Sequence, residues 1–294
     1  MPEFEFGAKD LRACQRLVYA ARIATAAETA GGHRVRRSGE GSEFLDYRRY
    51  VAGDDVRRID WTVFARLRQP YIRVVQHESV LYVSLLVDAS RSMAAGTPQS
   101  KAALACRLAC ALAYVALGSG DHVTAGVFAE TLGPLASDLR GRAALQQVVA
   151  LLHGAPLGGR TDLAAAVQAF CERSRHRGLV VLISDFLQPG GYQEPIRRLL
   201  AMRFRVLAVQ VLDAVDWGEG LEGALRLRDS ETGQETEIIA NEQHITEYRR
   251  RLRAHAEGLD AYCCRRGQFY LYAPTREECA RLVARGLRQR GLLR

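Results

Sequence analysis

Lysine is nearly absent from this chain of 294 residues, which holds 41 basic residues but only two lysines, Lys9 and Lys101. The phosphate-binding pattern G-x-x-x-x-G-K-[ST] is also absent, which argues against nucleotide hydrolysis by this chain. No apolar run reaches the about 18 residues that a membrane-spanning helix needs, so we expect no membrane span. The acidic start, MPEFEFGAKD, lacks an apolar signal core and therefore predicts no secretion signal.

Cysteine is present in an odd number, and its spacing fits neither disulfides nor zinc. The seven cysteines include no C-x-x-C pair, and Cys106 and Cys110 are four residues apart, which places them on one helix face. We therefore expect reduced thiols in the core of a cytoplasmic protein.

The overall composition is that of a globular protein with a basic excess. Hydrophobic residues make up 48% and charged residues 25%, and the formal net charge is +8. These values exclude a disordered tail protein, a collagen and a small disulfide-rich domain. The positive charge is compatible with nucleic acid, a membrane surface or an acidic protein as partner and does not choose among them.

Two segments of different character divide the chain at about residue 78. The first, residues 1–78, should form an N-terminal helix-plus-strand appendage, with a helix over 10–30 that ends at the two glycines 31–32. Between Arg34 and Arg73 it carries ten arginines against six acidic residues, with aromatic residues interleaved.

From residue 79 to 294, buried strands alternate with helices, which predicts an α/β fold of Rossmann-like type with a mostly parallel central sheet flanked by helices. Residues 224–239 alternate around a turn and predict a hairpin. Thr97 and Pro98 are typical of a helix start. The predicted strands are 80–88, 122–130, 178–184, 204–213 and 268–273, and the predicted helices are 97–117, 138–152, 162–174, 192–202, 241–265 and 276–289.

Oxygen-bearing side chains follow the ends of the buried strands. Asp88, Ser90 and Ser92 form a D-x-S-x-S sequence after the first strand, Thr161 precedes a helix, and Asp185 follows another strand. Because ligands bind beyond the carboxyl ends of parallel strands, these loops can converge on one ion. Hard oxygen ligands favour Mg²⁺ or Mn²⁺ over zinc. The alternative is that the residues at 88–92 only cap the helix that starts near 98.

The order D-A-S-R-S, then G-R-T-D, then I-S-D resembles a von Willebrand factor A domain with its metal-ion-dependent adhesion site. By this resemblance Ser90, Ser92 and Thr161 would be direct or near-direct ligands, and Asp88 and Asp185 would bind directly or through water. The pattern R-x-Y-x-x-G-D-D-x-R-x-I-D-W, residues 48–61, resembles the signature of a bacterial family known as domain of unknown function 58.

The family resemblance implies a partner but supplies no catalytic activity, and we expect a non-enzymatic binding protein. Its members are often encoded beside MoxR-type AAA+ ATPases, so the implied role is a metal-dependent protein–protein interaction module, an adaptor of such an ATPase in the assembly or remodelling of a protein complex. We expect the metal to complete its shell with a Glu or Asp of an acidic client. Arg91 and Arg160 flank the ligands in sequence and would favour that arriving anion, or would form only a solvated rim.

Two other functions stay open. An aspartate at a strand end also resembles the start of a Mg²⁺-dependent haloacid-dehalogenase-type phosphatase, but Ser90 stands where the second aspartate is needed, and Lys101 is expected inside a helix rather than at the site. The arginines and aromatics of 34–73 could instead bind nucleic acid, although no specific nucleic-acid motif is present.

The 48–61 signature itself has two interpretations. Its alternating charges could form an internal ion-pair network beside buried Trp61 and Phe64, or it could be a surface for a partner.

Overall fold

A computed structural model describes residues 4, 6–7, 10–15, 43–76, 80–96, 99–221, 223–230 and 233–289. The described residues between 43 and 80 form one compact unit, and those before 16 together with those from Leu81 onward form another. The domain division at residue 78 stays a prediction, because 77–79 lie outside the described residues. Residues 10–15 are helical. The rest of the predicted helix 10–30 and the glycines at its predicted end lie outside the described residues, and so do Thr97 and Pro98.

The smaller unit is a two-stranded antiparallel ladder with one short helix. Strand β1 (Glu43–Arg49) pairs with β2 (Tyr71–Gln76), and helix α1 (Trp61–Leu67) precedes β2. Asp60 caps α1 by accepting from the backbone N–H groups of its first turn, at 2.9 and 3.1 Å. Asp54 pairs with Arg48 at 2.6 Å.

Trp61 was predicted to be buried, but 64% of the residue is exposed. The reason is that α1 has no buried residue, so this helix offers no core to cover the indole ring. Its ring instead lies edge-on to Phe64, with 5.9 Å between the centroids.

The larger unit is built on a six-stranded sheet. In chain order its strands are β3 (Tyr82–Asp88), β4 (His122–Phe128), β5 (Leu132–Leu139), β6 (Leu179–Ser184) and β7 (Arg205–Leu212), then a separate hairpin of β8 (Gly223–Arg228) and β9 (Glu235–Ala240), and finally β10 (Phe269–Pro274). The spatial order is β10-β7-β6-β3-β4-β5, and only β5 runs antiparallel to its neighbour. The predicted mostly parallel α/β sheet and the hairpin are confirmed.

Helices cover both faces of the sheet. They are α2 (Lys101–Gly118), α3 (Leu145–Gly154), α4 (Leu163–Arg173), α5 (Gln193–Ala201), α6 (Glu242–Cys264) and α7 (Cys279–Gln289). Residues of α2, α3 and α7 pack in one apolar core, and residues of α4, α5 and α6 pack in the other. By length and composition α2 could cross a membrane, but it is almost entirely buried against the sheet, as the core helix of a folded domain is.

Strand β5 was not predicted, and the helix predicted to start at 138 begins at Leu145. The β5 sequence LGPLASDL contains glycine, proline, serine and aspartate, which weaken a strand signal. An edge position tolerates proline because one side of the strand has no ladder to complete.

The cysteines of the core are neutral thiols. All seven are free, and burial raises the pKa of Cys14, Cys106 and Cys279 to about 12. Within the described ranges no group of three or more His, Cys, Asp or Glu side chains is arranged to hold a metal ion.

The strand order reverses between β3 and β6. From β3 the chain moves outward through β4 and β5, and from β6 it moves the other way through β7 to β10. In open α/β sheets, the crevice beyond the carboxyl ends of the strands at such a reversal is where ligands bind. Asp88 is the last residue of β3, and Asp185 directly follows β6.

Candidate metal site at the reversal of the strand order

Asp88 is a fully buried carboxylate. Its Oδ1 accepts from the backbone N–H of Ser90 at 2.8 Å, and its Oδ2 accepts from the hydroxyl of Ser184 at 2.6 Å. Burial, and after it the negative charge of Asp185, raise the pKa of Asp88 to about 6, although the hydrogen bonds from Ser184 and Ser90 act in the opposite direction. Among the described residues no Lys, Arg or His forms a salt bridge with it.

Two hydroxyl groups lie beside Asp88 in the same loop. Ser90 is buried, and its Oγ is 3.1 Å from the Oγ of the partly exposed Ser92. Helix α2 is capped by Ser100, whose Oγ accepts from the N–H of Ala103 at 3.1 Å. The alternative that the 88–92 loop caps this helix is therefore wrong, and the Ser90 side chain caps no helix either.

Asp185 is also buried, but it has a cation. The ammonium of Lys101 donates to its Oδ2 at 2.9 Å and to Oδ1 of Asp216 at 3.0 Å. The other oxygen of Asp185 accepts from the N–H of Leu187 at 3.1 Å. Burial lowers the pKa of Lys101, yet the two carboxylates raise it more, so the net direction is upward and the ammonium is charged.

The position of Lys101 corrects the sequence-based expectation that it would lie away from the site. Lys101 is in a helix, as expected, but it is the first residue of α2, and its side chain reaches the loop after β6. The signal that could have revealed it was its rarity, because one of only two lysines in the chain opens a helix whose next five residues are all apolar.

The loop that carries Thr161 is hydrogen-bonded to the loop that carries Asp88. Gly158 donates its N–H to the carbonyl of Ala89 at 2.9 Å, and Arg91 donates its N–H to the carbonyl of Gly159 at 3.1 Å. Thr161 is two residues beyond Gly159 in the chain and is partly exposed. The next residue, Asp162, caps the N-terminus of α4. The two loops are thus held together, and Thr161 lies on the segment that joins them to α4.

Arg91 and Arg160 are both exposed at this edge of the sheet. Arg91 opens the short 3₁₀ turn after Ser90, and the backbone N–H of Arg160 donates to Oε1 of Glu130 at 3.2 Å. In the part of the chain that the structure describes, neither guanidinium group forms a salt bridge.

A strained residue follows Asp185. Phe186 has a φ angle of 56°, which is left-handed and costly for a residue with a side chain. Its N–H donates to Ser184 Oγ at 3.1 Å, its carbonyl oxygen lies 2.9 Å from Nε2 of His255, and its ring is buried. Ser184 and His255, which sequence reasoning missed, therefore hold the backbone that positions Asp185.

The donor set fits a hard divalent cation. It consists of carboxylate and hydroxyl oxygens, which Mg²⁺ and Mn²⁺ prefer. When all are ionised, Asp88, Asp185 and Asp216 carry three negative charges and Lys101 one positive charge, which leaves a net charge that one divalent ion would neutralise.

The chain is similar in sequence to several mycobacterial proteins. Uncharacterized proteins of Mycobacterium bovis and Mycobacterium tuberculosis are each 35% identical over 229 residues, which is 76% of this chain and 72% of theirs. Among solved structures, the conserved hypothetical protein BatB from Bacteroides thetaiotaomicron matches with 15% identity and a TM-score of 0.43, over 72% of this chain and 98% of that one.

An aerotolerance-related membrane protein from Bacteroides fragilis matches with 17% identity and a TM-score of 0.40, over 71% of this chain and 98% of that one. At these scores neither structural likeness supports an argument on fold or function. The model of the family described as "Protein of unknown function DUF58" matches residues 46–258, which include the whole 48–61 signature and all five predicted ligands. This chain therefore belongs to the DUF58 family.

Proposed function

We propose that this protein is a divalent-metal-dependent protein–protein interaction module with a von Willebrand factor A-like domain and a metal-ion-dependent adhesion site. The observation that carries the proposal is Asp88. A fully buried carboxylate without a cationic partner in the described residues is costly, and it lies at the ligand-binding crevice of the sheet. A bound cation removes that cost.

Five side chains would hold the ion: Asp88, Ser90, Ser92, Thr161 and Asp185. Bound there, Mg²⁺ or Mn²⁺ supplies a Lewis-acid position that a carboxylate oxygen can occupy. Ser184 keeps the carboxylate of Asp88 oriented, and Lys101 does the same for Asp185. The partly exposed Ser92 and Thr161 mark the side from which solvent reaches the site.

The expected partner surface is acidic. Arg91 and Arg160 are exposed beside the site, and their charges favour an approaching Glu or Asp of a client. The net charge of +8 acts in the same direction over a longer range. By family resemblance, the module serves as a cytoplasmic adaptor of a MoxR-type AAA+ ATPase that assembles or remodels a protein complex.

A phosphatase is less well supported, and we propose no enzyme activity. A nucleophilic aspartate must meet its substrate, whereas Asp88 is fully buried. Lys101 does lie at the site, contrary to expectation, but both of its partners are carboxylates and it is itself buried, so it has no free face for a phosphate.

The test is Mn²⁺ binding, followed by client capture. Wild-type protein should bind Mn²⁺ in electron paramagnetic resonance titrations, and D88A should not. The MoxR-type ATPase of the same bacterium, or an acidic client, should be retained by wild-type protein in Mg²⁺ and lost in EDTA. The variant R175E, at an exposed arginine between α4 and β6, is a matched surface control that should behave as wild type. Equal Mn²⁺ binding by wild type and D88A contradicts the proposal.

A further inference from the structure

The position of Lys101 is unfavourable for a lysine in three respects. It is the first residue of α2, where the helix dipole disfavours a positive charge. It is only 2% exposed, and burial of an ammonium is costly. It also opens a helix whose following five residues are all apolar. A lysine in such a position needs specific partners that compensate for its buried charge.

What holds it is a pair of carboxylates from two neighbouring loops. Asp185 follows β6, Asp216 lies in the loop after β7, and the ammonium donates to one oxygen of each at 2.9 and 3.0 Å. Asp216 is fixed in turn, because its other oxygen accepts from the N–H of Asp213 at 2.8 Å. The ammonium thus lies where a small cation bridging the two loops would lie.

This arrangement divides the acidic crevice into two halves. In one half Asp88 has hydroxyl neighbours and forms no salt bridge with a described residue, and in the other half Asp185 and Asp216 already share a fixed cation. The two halves meet at β3 and β6, where Ser184 of β6 donates to Asp88 and Asp185 is the next residue.

We propose that Lys101 is the resident cation of the second half and limits the crevice to a single divalent ion. It is a positioning residue, since it acts on the ion through Asp185. Without its ammonium, the buried Asp185 and the partly exposed Asp216 would be two neighbouring carboxylates that a second divalent ion can bridge. The inference rests on the proposed function only for the first ion, the one beside Asp88.

The experiment counts ions. Wild-type protein, K101M and K101M/D216N are titrated with MnCl₂ by electron paramagnetic resonance, and thermal unfolding is followed in EDTA and in Mn²⁺. We expect one ion for wild type, two for K101M, and one again for K101M/D216N, which has lost both the ammonium and one of its partners. We also expect EDTA to lower the Tm of K101M much more than that of wild type, and Mn²⁺ to restore it.

Two outcomes would overturn this assignment. One is K101M that binds the same number of ions as wild type. Another is K101M that stays unfolded in both EDTA and Mn²⁺ while K101M/D216N folds, because a metal that replaces the ammonium should rescue the single variant. A failure of the proposed function would give a different result. Wild-type protein would then bind no Mn²⁺, regardless of the number of ions that K101M binds.

Discussion

Replacement of Asp88 by asparagine should make the metal-free protein more stable at neutral pH while it abolishes metal binding. The amide side chain of D88N would keep both hydrogen bonds, because its carbonyl oxygen can accept from the N–H of Ser90 and its NH₂ group can donate to Ser184, whose hydroxyl can turn to accept. The substitution removes the ability to ionise and reverses the direction of the hydrogen bond with Ser184. A residue whose charge lowers the stability of the folded protein until a ligand pairs with it is the expected signature of a binding site.

The magnitude follows from the pKa of Asp88. This pKa rises from an ordinary value of 3.8 to about 6 in the folded protein, first because of burial and then because of Asp185. The folded state therefore holds its proton more tightly than the unfolded chain, and the free energy of unfolding falls as pH rises from about 4 to about 6. At 1.4 kcal/mol for each tenfold difference in acidity, the loss is about 3 kcal/mol at pH 7.

The assay is urea or thermal unfolding of wild type and D88N in EDTA at several pH values. The gain for D88N should be about 3 kcal/mol at pH 7, or roughly 6 °C in Tm for a domain of this size, and should fall to about 0.6 kcal/mol at pH 4. Added Mn²⁺ at pH 7 should stabilise wild type and leave D88N unchanged. The reasoning is refuted if D88N is less stable than wild type at pH 7 in EDTA, or if its stability responds to Mn²⁺.

Three further predictions concern the hydrogen bond to Asp88, the packing at the start of β6 and the surface for the client. Ser184→Ala removes the hydroxyl that donates to Asp88 and should lower the free energy of unfolding, measured with urea, by about 1–3 kcal/mol. A change near zero would contradict the hydrogen-bond argument. Gly178→Ala should lower the free energy of unfolding by about 1–3 kcal/mol, because its added Cβ would lie 2.0 Å from the carbonyl oxygen of Tyr82. The control Gly154→Ala, whose Cβ would have nothing within 4 Å, should change it by at most about 0.5 kcal/mol. Equal effects of the two substitutions would refute this packing argument. Arg91→Glu combined with Arg160→Glu should weaken capture of an acidic client roughly tenfold, about 1.4 kcal/mol, without changing Mn²⁺ stoichiometry, whereas unchanged capture would leave these arginines as a solvated rim.

The sequence alone predicted the elements that position the site. Strands buried on both faces need long apolar runs, so β3 and β6 could be recognised, and with them the polar residues at their ends, Asp88 and Asp185. The hairpin of β8 and β9 was predicted from strict alternation around a turn, and the DUF58 family from the 48–61 signature. These features are local, so a short stretch of chain carries the whole signal.

Features that depend on contacts between distant residues could not be predicted in the same way. Strand β5 is formed from a weak strand sequence because β4 offers it an edge to pair with. Ser184 is 96 residues from the carboxylate to which it donates, and Lys101 is 84 residues from Asp185. Local patterns determined where the strands end and which oxygens follow them, while the order of the strands in the sheet decided which of those oxygens meet and which one is already held by an ammonium. The physical reason is that an ion pair depends on distance in space, and only the folded sheet sets that distance.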